Sequence, residues 1–198
     1  MKLIDSKTYQ NLAKAFAGEC QAMTRYKFVE YGARKEGYEA IAQIIDGIIY
    51  QEFNHARMIY TFIETASEDE IKNIDVKAGY PFKQKWNLLD NLKLSSDDER
   101  VEGSQVYPEY AKVAEKEGFS DIAGLFNNLS KIELQHEKVF LSMYDQMKDG
   151  TLYKKSSEYS WVCPSCGYRH EGKQAPKKCP VCQSKQITFE LNLDTACV

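Results

Sequence analysis

Histidine is scarce: only His55, His136 and His170 occur in 198 residues, so any site that uses imidazole has few candidates. Proline is nearly absent from the first three quarters of the chain, where only Pro81 and Pro108 interrupt long stretches free of helix breakers. Apolar runs are short, the longest being of the order of Gly47-Ile48-Ile49-Tyr50, and mean hydropathy is −0.54. A membrane span needs roughly 18 consecutive apolar residues, so none is expected. The opening Met1-Lys2-Leu3-Ile4-Asp5-Ser6-Lys7 lacks the apolar segment of a secretory leader. There is no basic stripe either: 26 Lys and Arg stand against 29 Asp and Glu, for a net charge of −3, which excludes nucleic acid as the main partner. These absences lead us to expect a cytoplasmic protein.

What is present is strongly patterned. Gly37 and Gly118 each close a charged helical stretch and open a new one, as C-cap glycines do. The pattern predicts helices near 6–36, 38–65, 86–117 and 119–149, with roughly twenty residues (66–85) joining the second to the third. Short connections make antiparallel hairpins, and the long one makes a crossover, which is ferritin-like connectivity. A shift of 81 residues supports two related hairpins. Ala33 through Tyr38 falls on Ala114 through Phe119, Ile41-Ala42 on Ile122-Ala123, and Tyr26 on Tyr107. The motif Glu52-x-x-His55 falls on Glu133-x-x-His136.

Followed at helical spacing, each apolar face carries a glutamate at mid-length. The faces run Leu12, Phe16, Glu19, Met23, Tyr26, Val29, Ala33, then Ile41, Ile45, Ile48, Glu52, His55, Ile59, Phe62. The third is Leu92, Glu99, Glu102, Val106, Tyr110, Val113, and the fourth Ile122, Phe126, Leu129, Glu133, His136, Phe140, Met143, Met147. Carboxylates stay ionised in an apolar core only when something positive pairs with them, and no Lys or Arg shares these faces. Multivalent cations answer the need. Glu and His three apart lie about 4.5 Å apart along a helix axis and reach one site. One glutamate from each of two helices with E-x-x-H from the other two is the donor set of di-iron and di-manganese bundles. Glu102 is one carboxylate beyond that minimum, and the extra negative charge favours a ferric pair over a ferrous one.

Residues 150–160 are polar without an apolar face and read as a linker. From 161 to 198 the composition turns to Cys, Pro, Gly and short alternating runs such as Gln186 to Leu191. A module of that size needs a metal staple. Cys163-x-x-Cys166 and Cys179-x-x-Cys182 supply a tetrathiolate, which by spacing alone suits zinc or iron. Trp161, Tyr168 and Phe189 are its candidate packing; His170 falls outside ligand spacing.

These segments together resemble the rubrerythrin family. The resemblance rests on Phe16-Ala17-Gly18-Glu19, Glu52-Phe53-Asn54-His55, Glu99-Arg100-Val101-Glu102, Val106-Tyr107-Pro108-Glu109-Tyr110-Ala111 and Glu133-Leu134-Gln135-His136-Glu137-Lys138. It continues through Cys163-Pro164-Ser165-Cys166-Gly167-Tyr168, His170-Glu171-Gly172, Ala175-Pro176 and Cys179-Pro180-Val181-Cys182. It implies a ferritin-like di-iron bundle over 1–149, a rubredoxin-like iron domain over 161–198, and reduction of hydrogen peroxide. By the same resemblance Glu52 and Glu133 bridge the irons, Glu19 serves one, and Glu99 with His136 serves the other. Glu102 and His55 are then alternating ligands of the first iron. Tyr26 and Tyr107 are candidates to donate hydrogen bonds to ligand carboxylates or bound peroxide. Three positions depart from the family pattern: Cys20 stands for a small hydroxyl residue, Asp98 for a glycine and Gly103 for a histidine. Cys20 reads as a small buried hydrophobe and Cys197 as a free surface thiol.

The expected activity is thus peroxidase, with electrons relayed from an external NAD(P)H-dependent reductase or a rubredoxin through a mononuclear iron. The alternatives are a ferroxidase using dioxygen and a non-enzymatic bundle with a structural zinc ribbon. Two structural expectations follow. Glu19 plus 81 is Arg100, whereas the matching ligand is Glu99, so the third helix carries one extra residue before Tyr107. A π-turn between Glu99 and Tyr107 would absorb it. Glu133 to Gly150 spans about 25 Å at 1.5 Å per residue, which places the cysteine site far from its own di-iron centre. A head-to-tail homodimer would bring it to the partner's centre.

Overall fold

The Ser6 side chain opens helix α1 (Lys7–Glu36) by accepting from the Tyr9 N–H at 3.0 Å, and Gly37 at φ 88° closes it. Helix α2 (Glu39–Glu64) returns along it. The third bundle helix comes in three pieces: α3 (Leu88–Val101), a π-helical turn over Glu102–Val106, and α4 (Tyr107–Glu117) ending at Gly118, φ 86°. Helix α5 (Ser120–Lys148) packs along all three pieces. Both closing glycines sit in the left-handed region, where a side chain would be strained. This computed structural model describes residues 1–67, 73–77, 86–186, 189–191 and 193. Pro81, most of the 66–85 connection, Ile187, Thr188 and Cys197 lie outside the described residues.

The crossover is nonetheless settled by what surrounds it. One apolar cluster holds the C-terminal half of α1 (Tyr26, Val29, Ala33), the start of α2 (Ile41, Ile45), the start of α3 (Leu88, Leu92) and the end of α5 (Phe140, Met143). The opposite cluster holds Tyr9, Leu12, Ile59, Ile63, Tyr107, Ala111 and Phe126. Helix α2 and the third helix therefore run parallel, the chain leaving α2 at one end of the bundle and entering α3 at the other. The architecture is mainly α, a ferritin-like four-helix bundle with a small C-terminal module.

The π-turn lies where the extra residue required it, and it corrects the expected face of the third helix. Beyond the turn the buried residues are Tyr107, Ala111 and Ala114, whereas Val106, Tyr110 and Val113, read from an unbroken 3.6 period, are only half-buried. One inserted residue turns everything after it by about 100°. Gly103 makes the turn fit: its carbonyl accepts from Ser130 Oγ at 2.7 Å, and a Cβ there would lie 2.8 Å from both Ser130 O and Leu134 Cγ.

The stretch 150–160, expected as a linker, is not an unstructured tether. Strand β1 (Lys154–Val162) begins inside it and pairs antiparallel with β2 (Arg169–Gln174), Trp161 opposite His170. The strand's polar, mostly exposed residues hide its pairing from an amphipathicity reading. Trp161, Cys163, Ala175, Cys179 and Phe189 form the module's core, and Trp161 Nε1 donates to Gly172 O at 2.8 Å. The module is seated on the end of the bundle: Leu152 and Leu193 are buried in the first apolar cluster, and Ser142 Oγ donates to Leu193 O at 2.6 Å.

Gly103→Ala should lower stability by about 1–3 kcal/mol, since the backbone of α5 stands in the way. Gly124→Ala, where a Cβ meets nothing within 4 Å, should instead raise it by about 0.5–1 kcal/mol through helix propensity. Thermal melts of the two variants check the contrast.

Candidate metal centres

Between the two apolar clusters lies a polar layer contributed by every helix: Glu19 from α1, Glu52 and His55 from α2, Glu99 from α3, Glu133 and His136 from α5. None is more than 3% exposed. Among the described residues, the ion pairs of these four carboxylates all run to the two imidazoles. His55 Nδ1 lies 2.9 Å from Glu52 Oε2, 3.3 Å from Glu133 Oε1 and 3.6 Å from Glu19 Oε2. His136 Nδ1 lies 3.0 Å from Glu52 Oε1, 3.0 Å from Glu133 Oε2 and 3.9 Å from Glu99 Oε2. Glu52 and Glu133 thus turn one oxygen toward each histidine. Two donor sets result, Glu19/Glu52/His55/Glu133 and Glu52/Glu99/Glu133/His136, each with ligand atoms within 4.8 Å of one another.

A pair of cations fits this layer. Glu19 Oε2, Glu52 Oε1, both Glu133 oxygens and His136 Nδ1 are buried without a hydrogen bond, although each lies 3.0–3.6 Å from a carboxylate or imidazole atom of the layer. That spacing is what ligand atoms adopt around an ion with bonds near 2.0–2.2 Å. Buried polar atoms left unpaired are otherwise costly. The remaining oxygens are cared for by phenols: the Tyr26 hydroxyl donates to Glu99 Oε1 and the Tyr107 hydroxyl to Glu19 Oε1. Burial, then the neighbouring Glu99 and Glu19 charges respectively, raises both phenols well above their usual range, so both stay protonated donors.

Without cations, protons must serve. Burial, reinforced by the Glu52 and Glu133 charges, raises the Glu19 and Glu99 carboxyls well above the carboxylate range. Burial would depress His136, but the Glu133 and Glu52 carboxylates, each 3.0 Å from its Nδ1, outweigh it and hold it at about 9. His136 and His55, paired with its two oxygens, overcome burial at Glu52 and lower it.

Glu102 differs from the other sequence candidates. It sits on the π-turn, is in neither donor set, and borders a cavity of about 200 Å³ with Lys14, Gly18, Gln21, Lys77 and Tyr110. Burial, then the Glu133 and Glu52 charges, lifts its carboxyl to about 8. Cys20 is half-buried next to Glu19 and belongs to neither set. Two contacts escaped the sequence reading. Gln51 Oε1 lies 2.7 Å from His136 Nε2, and Arg25 pairs with Asp98 at 2.9 Å beside Tyr26. Gln51 is exposed and Arg25 falls off the apolar stripe, so periodicity carries no sign of either.

In the module, Cys163 Sγ lies 3.6 Å from Cys182 Sγ, and Cys166 Sγ 3.6 Å from Cys179 Sγ. Disulfides would need about 2.05 Å. A tetrahedron with bonds near 2.3 Å has edges of about 3.8 Å, so the four thiols are spaced for one ion. The two knuckles share a backbone pattern: Gly167 N–H donates to Cys163 O at 2.8 Å and Gln183 N–H to Cys179 O at 3.0 Å, both residues at positive φ. Hydrogen bonds from Ser184 draw the Cys182 thiol down to about 6, readying it as thiolate.

A family model described as rubrerythrin matches residues 10–152, nearly three quarters of the sequence. The chain belongs to the rubrerythrin family. A second model, the rubrerythrin rubredoxin-like domain, matches residues 161–190. The chain is 38% identical to rubrerythrin of Clostridium perfringens, covering 96% of each, and 37% identical to that of Porphyromonas gingivalis, covering 93% of this chain and 90% of the relative. Nigerythrin in its mixed-valence state superposes with a TM-score of 0.62 at 27% identity, covering 93% of this chain and 86% of the other. A Desulfovibrio desulfuricans bacterioferritin superposes at 0.63 with 20% identity over 72% of this chain and 81% of that one, a likeness of fold. This rubrerythrin-family chain is accordingly a di-iron oxidoreductase of oxidative-stress defence, with a second iron site in the cysteine module.

Ions entering the bundle must displace protons from His136, and from Glu102 if it joins them. Uptake of cobalt(II) under anaerobic conditions should therefore release protons, and should tighten as pH rises toward 9. The metal-free fold should show the opposite trend. A histidine and a carboxyl with raised pKa stabilise it fully below their unfolded values, near 6.5 and 4.5, and lose that contribution as pH rises through about 9 and 8. A pH-stat titration and apo-protein melts measure both; uptake independent of pH contradicts the assignment.

Proposed function

We propose that this protein is a peroxidase that reduces hydrogen peroxide to two waters with two electrons and two protons, the electrons arriving singly through the four-cysteine iron. The observation that carries this reading is the sealed layer in which Glu52 and Glu133 each offer one oxygen to either histidine. In it Glu52 and Glu133 would be shared by the two irons, Glu19 would serve one, Glu99 and His136 the other, and Glu102 and His55 would take turns as ligands of the first. When bound, the iron pair supplies two electrons together, as cleavage of an O–O bond requires.

The chain's own residues set the conditions. Tyr26 and Tyr107 each occupy one oxygen of Glu99 and Glu19, which leaves the other free to ligate. Apolar clusters on both sides of the layer keep bulk water out and strengthen every charge interaction within it. Glu102, on the π-turn and at the edge of a cavity, has room to approach and withdraw. The electron source is an external NAD(P)H-dependent reductase or a rubredoxin, and the compartment the cytoplasm. The seat of the module favours a head-to-tail homodimer. It docks on the last turns of α5, which ends at Lys148 about 22 Å along the helix from Glu133, so each cysteine site serves the partner's iron pair.

In the chemically reduced protein, titrated without oxygen, one equivalent of hydrogen peroxide should supply the two-electron oxidation of the bundle irons, and do so faster than the same concentration of dioxygen. The reverse order would favour iron oxidation as the activity. Glu52→Ala or Glu133→Ala should abolish peroxide turnover, and a variant keeping both its rate and two irons would sink the site. Cys179→Ser should stop reductase-driven turnover and leave the reduced bundle reactive. A single-chain solution mass with full turnover at high dilution would overturn the dimer.

A further inference from the structure

The 81-residue repeat makes the two halves of the polar layer a comparison within one molecule. Glu52-x-x-His55 matches Glu133-x-x-His136, and Tyr26 matches Tyr107. The residues just outside the matched ones do not correspond. Gln51 precedes Glu52, whereas Ile132 precedes Glu133; Arg25 precedes Tyr26, whereas Val106 precedes Tyr107. Both polar members serve the same half. Gln51 Oε1 meets His136 Nε2 at 2.7 Å. Arg25, paired with Asp98 at 2.9 Å, reaches the Tyr26 hydroxyl at 3.4 Å, and that hydroxyl donates to Glu99. Among the described residues the contacts of His55 run through Nδ1 into the layer, and no protein group holds its outer nitrogen.

The chemistry of the first contact is directional. An amide oxygen only accepts, so His136 Nε2 keeps its proton, and Nδ1 is the nitrogen that gives up its proton and turns a lone pair inward when a cation enters. We propose that Gln51 is a positioning residue that fixes the orientation and tautomer of His136, so that the Glu99/His136 half of the centre is held rigid while the Glu19/His55 half is left free to rearrange. The proposal rests on the di-iron reading above. The Arg25–Asp98 pair, standing behind Tyr26, braces Glu99 in the same half. An isoleucine and a valine at the matching positions can offer neither service.

Gln51 is exposed and borders a cavity of about 260 Å³ with Gln135, His136 and Val139, so it can be changed without cutting into the core. The test uses the full iron-loaded chain with Gln51→Leu and Gln51→Glu, reading the reduction potential of the bundle irons and their retention against a chelator. Losing the acceptor weakens the imidazole as a donor to ferric iron, and a carboxylate strengthens it. The potential should rise in Gln51→Leu and fall in Gln51→Glu, and Gln51→Leu should hold one of the two irons about tenfold or more weakly. The absorbance of the cysteine site should not change. Shifts of the same sign in both variants, a shift confined to Gln51→Glu, or no shift in a protein that keeps both irons would overturn the proposal alone. A wild-type bundle that binds fewer than two irons would overturn the di-iron reading and this inference with it.

Discussion

Four carboxylates buried in one layer impose a cost that no packing can absorb, and much of the structure answers that cost. Each helix surrenders a stretch of its apolar face to a glutamate, which splits the core into two clusters with a charged slab between them. The bundle is consequently two hydrophobic half-cores whose union depends on how well that slab is neutralised. Two imidazoles shared between two carboxylates do so in part, with protons as stand-ins. Cations do so better, since they satisfy the carboxylate oxygens and the imidazole nitrogen that have no hydrogen-bond partner. Folding and metal binding are in this sense one free-energy problem.

Most of this architecture was legible in the sequence because it rests on period and charge. Glycines at 37 and 118 mark where hairpins turn, and a carboxylate on each apolar face marks the layer. The tetrathiolate spacing marks the second site. The π-turn was legible for a subtler reason: a repeat in register at Tyr26 and Tyr107 but out of register by one at the metal ligand has to store the extra residue between them. The same insertion defeated the reading of burial beyond it, because an unbroken 3.6 period assigns Val106, Tyr110 and Val113 to the core instead of Tyr107, Ala111 and Ala114.

What stayed hidden were contacts that no periodicity encodes. Gln51 looks like any exposed polar residue until α5 brings His136 beside it. Asp98, a departure from the family pattern, gains meaning only from Arg25 across the helix pair. Residues 154–160 pair as a strand by backbone hydrogen bonds, for which side-chain pattern is a poor guide when both faces meet water. Glu102 shows the limit from the other direction, since its helix places it near the layer while the π-turn holds it at the rim.

The seating of the cysteine module links the fates of two sites that share no atoms. Leu152 and Leu193 complete the apolar end of the bundle, beside Tyr38, Met147 and Tyr153. A module this small keeps its shape through its ion. Loss of that ion would therefore also withdraw the cover that Leu193 gives the bundle's apolar end, so the ion at one site bears on the packing around the other.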